Sequence, residues 1–161
     1  MEPVQLETGG GVGDAELVEL LTDTFVGGGF TTAELAARNM EASALRLRGD
    51  LLYVRGASGS LAGVTFLVPP SSPARRFAEP HEAELHLLAV QPKLRGAGIG
   101  RALVAATIAR AQAQGYQRLL LWTQTTMRAA HALYAATGFT RRPERDFSRN
   151  GRDFLFLERA L

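Results

Sequence analysis

The chain has 161 residues, 46% of them hydrophobic and 21% charged, with a formal net charge of +2. That length suits a single domain, residues 1–161, whose core needs no covalent staples. No cysteine is present, which excludes disulfides, thiolate metal sites and cysteine nucleophiles. Of the basic residues only Lys93 is a lysine; the rest are arginines scattered among acids, which predicts a mixed solvated surface and no nucleic-acid footprint. The N-terminus lacks the basic start and apolar run of a signal peptide. The longest apolar stretch, 61–70, is too short to span a bilayer, so a soluble, cytoplasmic protein without membrane contact is expected.

Val4–Thr8 alternates apolar and polar residues as a short strand does, and the glycine run 9–13 turns the chain. Leu17, Leu21, Thr24 and Phe25 then recur at helical spacing from about Asp14. Thr31-Thr32-Ala33-Glu34 carries a capping-box pattern and predicts a second helix to about Ala44. Leu51–Arg55 and Leu61–Val68 read as a hairpin, and the prolines of 69–73 as a loop. A strand at Glu82–Val90 runs through a glycine-rich turn into an alanine-rich helix from Ile99 to Gln114, closed by Gly115. Leu119–Thr123 is a short apolar strand, and Met127–Thr137 a helix ended by Gly138. Asn150-Gly151, a strong hairpin signal, joins Asp146–Arg149 to Arg152–Glu158. This order predicts an α/β domain with a mixed, mostly antiparallel sheet flanked by about four helices.

The chemically informative segment is the turn Lys93-Leu94-Arg95-Gly96-Ala97-Gly98-Ile99-Gly100-Arg101. Glycines there permit positive φ and close approach to the backbone, and the first helical turn offers unpaired amides at the positive end of the helix dipole. The combination suits a phosphate or pyrophosphate. Arg101 opposes the dipole unless an anion sits beside it. The dinucleotide fingerprint Gly-x-Gly-x-x-Gly fails on spacing and the P-loop lacks its Gly-Lys-Ser/Thr, which disfavours nicotinamide and nucleotide-triphosphate enzymes. His81 and His86 are five apart on a strand, not four apart on a helix, so no zinc-protease site and no metal is expected.

On Arg95, Gly98 and Gly100, preceded by Leu88-Ala89-Val90-x-Pro92, and on Ala130-x-x-Leu133-Tyr134-x-x-x-Gly138-Phe139, the sequence resembles the GNAT superfamily of acyl-CoA-dependent N-acyltransferases. The resemblance implies that the backbone of Arg95, Gly96, Ala97, Gly98, Ile99, Gly100 and Arg101 holds the coenzyme A pyrophosphate. It places the pantetheine in a splay between the strand ending Leu88-Ala89-Val90 and the strand ending at Thr123, with the Val90 amide facing the thioester carbonyl. Such a preorganised N–H stabilises charge that develops only in the tetrahedral transition state.

Tyr134 falls at the family position often assigned as general acid, which protonates the departing thiolate. Glu84 is the first candidate base: alternation puts it on one face with His86, Leu88 and Val90, and a half-buried carboxylate has its pKa raised towards neutrality. His86 is the alternative. Met127 stands where many members carry an asparagine, with Gln124 or the neighbouring threonine hydroxyls as substitutes. The reading is transfer of an acetyl group from acetyl-CoA to a primary amine, a small molecule or a peptide, by direct attack; the alternative is an inactive acyl-CoA sensor or scaffold. The acceptor is expected to enter near Phe25, 27–30 and 144–147, drawn by Glu84, Glu144 and Asp146. An exposed face of the last strand, Phe154 with Phe156 or Leu155 with Leu157, offers a homodimer surface.

Overall fold

The computed structural model describes residues 2–161. In chain order it contains β1 (Gln5–Leu6), α1 (Asp14–Phe25), α2 (Ala33–Asn39), α3 (Ala42–Arg48), β2 (Asp50–Arg55), β3 (Leu61–Val68), β4 (Glu82–Val90), α4 (Ile99–Ala113), β5 (Arg118–Gln124), α5 (Arg128–Ala136), β6 (Thr140–Arg141), β7 (Phe147–Arg149) and β8 (Arg152–Ala160). One sheet runs β1-β2-β3-β4-β5-β8-β6, with β7 paired on β8. Every pairing is antiparallel except β4 with β5. The expected fold class therefore holds.

Five helices form where about four were expected, because the segment 33–48 breaks at Met40, whose φ of −118° leaves the helix. A continuous helix would set Leu45 about 140° around from Met40. The break returns Leu45 to the side of Ala36 and Met40, so that all three pack with Leu17 and Leu21 of α1. On the opposite face of the sheet, Leu103, Val104, Ile108 and Ala111 of α4 pack over Leu52, Leu85, Leu119 and Leu121. α4 lies close there because β3 carries Gly63: a Cβ at that position would meet Ile99 Cγ2 at 2.8 Å. Asn150 and Gly151, at φ 53° and 71°, make the tight turn read from the sequence.

The last strand offers no bare apolar face. Phe156 is buried under Phe77 and Ala78, and Leu157 is buried in the α4-side core. The expected dimer surface is thus occupied by the chain's own residues.

Glu16 ties α1 to the sheet. Its carboxylate accepts from Arg55 Nη1 at 2.7 Å and Nη2 at 2.6 Å, and from the Gly13 amide at 2.8 Å. The Arg55 hydrogen bonds hold its pKa at about 2, against an ordinary 4.5. A depressed carboxylate contributes stability that is present above its unfolded value and lost as pH falls through the folded one. Arg55→Gln is therefore expected to cost about 1 kcal/mol in urea unfolding at pH 7, given partial solvent screening. The gap between variant and parent should close between pH 4.5 and 2.

Candidate active site

β4 and β5 pair only from Glu82 with Arg118 to Glu84 with Leu120, then separate. Beyond that point β4 carries a bulge. Its partner β3 advances from Phe66 to Val64 while β4 advances from His86 to Ala89, and Leu87 takes up the extra residue at φ 56°. A leucine in the left-handed region is strained and persists only where the surrounding packing imposes it. The bulge reverses the alternation of side chains. Leu88 and Val90 join Leu85 on the α4 side, whereas Leu87 and Ala89 pack on the α1 side. The expectation that Glu84 and His86 share a face with Leu88 and Val90 is corrected by this one residue.

The same bulge leaves the end of β4 facing the gap. Gln91 donates its amide to Ala62 on β3, so the strand alternation turns the Val90 N–H away from β3 and towards the splay. Past β4 the chain makes a short 3-10 turn, Pro92–Leu94, and enters α4 through Gly96 at φ 85° and Gly98 at φ 86°. The first backbone bond of α4 is Ala102 N–H to Gly98 O, which leaves the amides of Gly96 to Arg101 without partners among the described residues. A Cβ at Gly96 or Gly98 would find nothing within 4 Å, so open space lies directly over those amides. No acid occupies the first turn of α4. This is a cradle shaped for an anion, and coenzyme A phosphates fit it.

A cavity of about 570 Å³ covers the cradle. Leu88, Val90, Arg95, Gly96, Gly98, Ile99, Gly100 and Arg101 line it, joined by Thr126 and Leu133 and by Arg128, which sequence reasoning did not single out. Ala89 is buried on the α1 side and Ala97 is exposed outside the wall. A second cavity of about 920 Å³ lies across the splay and shares Phe25, Phe30, Leu88, Met127 and Ala130 with the first.

Tyr134, His86, Trp122 and Thr123 line the larger cavity. Tyr134 is 6% exposed and packs edge-on against Phe139. Burial pushes its phenol well above the usual value, so the hydroxyl keeps its proton at any working pH. Gln124 is not available as a substitute for the missing asparagine, because its side-chain amide donates to Phe30 O at 2.7 Å and tethers the α1–α2 loop. The Thr123 hydroxyl faces the Met127 sulfur at 3.5 Å.

Glu84 is fully buried and lines neither cavity. Its carboxylate accepts from the amides of Arg76, Phe77 and Ala78 at 2.6–3.1 Å and from His86 Nε2 at 2.7 Å. Burial alone would raise its pKa, but the His86 and backbone hydrogen bonds outweigh that and hold it below the ordinary value. The expected upward shift is thus reversed: an ionised Glu84 fastens the loop before β4.

Arg48 Nη1 meets His86 Nδ1 at 2.6 Å. A guanidinium only donates, so Nδ1 carries the lone pair and Nε2 the proton given to Glu84. Burial keeps His86 neutral, below its usual pKa. Of the acids expected to attract an amine, Asp146 is bound to Arg141 at 2.6 Å and to the Phe156 amide at 2.8 Å, and Glu144 does not line the cavity. Among the described residues no group of three His, Cys, Asp or Glu is placed to hold a metal ion, and no helix is long and apolar enough to cross a membrane.

The fold is shared with solved acetyltransferases. A Bacillus subtilis acetyltransferase in complex with CoA superposes with a TM-score of 0.69 at 22% identity, over 99% of this chain and 98% of that one. The PaiA N-acetyltransferase of Thermoplasma acidophilum, in complex with coenzyme A, gives 0.73 at 15% identity over 98% and 99%. The acetyltransferase (GNAT) family model matches residues 15–139, and the chain belongs to that family. It is also similar to the mycothiol acetyltransferase of Paenarthrobacter aurescens, 36% identical over 115 residues, which are 71% of this chain and 34% of that protein. The match thus spans about a third of that relative's length. Rat N-acetyltransferase family 8 member 3 is 30% identical over 92 residues, 57% of this chain and 39% of its own.

Proposed function

We propose that the protein transfers an acetyl group from acetyl-CoA to a primary amine by direct attack. The observation that carries this reading is the run of unpartnered amides from Gly96 to Arg101 under open space, beside a splay into which the Val90 N–H is turned. Family membership and the acetyltransferases among its relatives support it.

In this reading the amides at Gly96 to Arg101, with Arg95, Arg101 and Arg128, bind the pyrophosphate. The acyl end lies along β4 in the splay. The amine nitrogen attacks the thioester carbon from the larger cavity, and the oxyanion that forms accepts from the Val90 N–H. Collapse of the adduct breaks the C–S bond, and Tyr134 supplies the proton to the sulfur. Its raised pKa keeps the phenol protonated until the thiolate forms, and burial raises the basicity of that thiolate as well. His86 is the base: Nδ1 takes the amine proton once Arg48 swings aside. Glu84 is a positioning residue that fixes the Nε2–H tautomer.

Release of free thiol from acetyl-CoA with a panel of amines tests the reading. Tyr134→Phe should lower kcat about 100-fold while leaving the Kd for coenzyme A, measured by calorimetry, unchanged. Coenzyme binding with no thiol release from any amine would favour an acyl-CoA-binding domain without transfer.

A further inference from the structure

The larger cavity is lined by Arg38, Arg48, Arg75, Arg76, Arg149 and Arg152, and among the described residues no Asp or Glu lines it. These arginines come from α2, α3, the loop before β4, the end of β7 and the start of β8, segments remote in sequence that the fold gathers around one space. None of the six forms an ion pair with a carboxylate among the described residues. Scarcity of acids does not explain this, because the chain holds 16 Asp and Glu against 18 Lys and Arg, and Arg46, Arg55, Arg110, Arg118, Arg141 and Arg142 all pair with acids elsewhere.

The guanidiniums also stand with unused donors. Arg48 Nε is buried with no hydrogen-bond partner. Arg76 packs over Phe77, Phe147 and Trp122 at 5.2–5.7 Å, which holds its fork in place without consuming its N–H groups. Arg149 stands close enough that, after desolvation, its charge is the next largest influence lowering the Arg76 pKa. Glu84 is the one carboxylate whose charge offsets Arg48 and Arg76, so the six arginines keep an excess of like charge that an anionic ligand relieves, and planar guanidinium forks match carboxylate and phosphate oxygens.

We propose that the acceptor amine carries an oxyanion, a carboxylate or a phosphate, which the arginines of the larger cavity bind. This inference rests on the acetyltransferase reading and names its second substrate class. It replaces the expected recognition of a cation by Glu84, Glu144 and Asp146. The oxyanion also supplies what His86 needs, because a negative group competing for Arg48 frees the Nδ1 lone pair it now covers.

The experiment measures thiol release from acetyl-CoA with matched amines: glucosamine 6-phosphate against glucosamine, ethanolamine phosphate against ethanolamine, and β-alanine against β-alaninamide. The anionic member of at least one pair should have the higher kcat/KM by about 100-fold, the worth of one or two charge-assisted pairs. The phosphate and carboxylate arms distinguish the two sources of the oxyanion. Arg149→Gln and Arg38→Gln, both at exposed positions and safe for folding, should each raise KM for the anionic acceptor about tenfold with the KM for acetyl-CoA unchanged. Equal kcat/KM within every pair overturns the inference while leaving the transferase reading in place. Absence of thiol release with every amine of both arms overturns both.

Discussion

Gly98→Val is expected to weaken coenzyme A binding by about 100-fold or more while the protein stays folded. Gly98 sits at φ 86° as the residue that opens α4, and a side chain there meets no protein atom within 4 Å. The fold therefore bears only the left-handed strain of a β-branched residue, about 1–2 kcal/mol. The ligand bears more, because the new methyls project into the space over the free amides. Each charge-assisted bond from an amide to a phosphate oxygen is worth about 1.5–3 kcal/mol, and displacing the phosphate removes more than one. Gly100→Ala is the matched control: its φ is ordinary, and its Cβ would touch Leu133 Cδ2 at 3.3 Å. Calorimetry should show a small loss for that variant and near abolition for Gly98→Val. Binding by Gly98→Val within threefold of the parent would remove the pyrophosphate from this turn.

The cradle was legible because its determinants are local. Gly96, Gly98 and the helix start occupy adjacent positions, and the Asn150-Gly151 turn is a dipeptide signal of the same kind. Leu87 carries no such signal: a leucine adopts φ 56° only because β3 on one side and the departing β5 on the other fix the strand around it. That single residue moved Leu88 and Val90 off the face of Glu84. The environment of Glu84 is equally non-local, since the amides that surround it belong to Arg76, Phe77 and Ala78, beyond the 69–73 loop that the prolines marked. The arginines read as scattered because they are scattered along the chain. Only folding brings Arg38, Arg48, Arg76 and Arg149 to one wall, although Arg75-Arg76 in a proline-rich loop and Arg149 with Arg152 flanking a tight turn were local hints of cation-bearing loops.

Glu84→Gln should be the most damaging conservative change in the chain. Glutamine keeps the shape of Glu84 but replaces one acceptor oxygen with a donor NH₂, inside a ring of donors from Arg76, Phe77, Ala78 and His86. At least one buried N–H then loses its partner, and Arg48 and Arg76 lose the charge that offsets their own desolvation. Breaking a buried charge network in this way costs about 3–5 kcal/mol. For a chain of this size that is a fall in Tm of roughly 10 °C. The parent should lose the same contribution in acid, because a lowered carboxylate pKa gives stability above the unfolded value near 4.5 that disappears as pH falls through the folded one. Melting curves of parent and variant should therefore converge in acid and diverge above pH 4.5. Catalysis separates positioning from mere support. Glu84 raises the His86 pKa through their hydrogen bond, so in the variant, assayed below its melting point, the acidic limb of kcat should move to lower pH as kcat falls. A variant with parental Tm would show that the ring of amides does not hold the loop. A reduced Tm with an unmoved acidic limb would leave Glu84 as a structural fastener and take His86 out of the proton path.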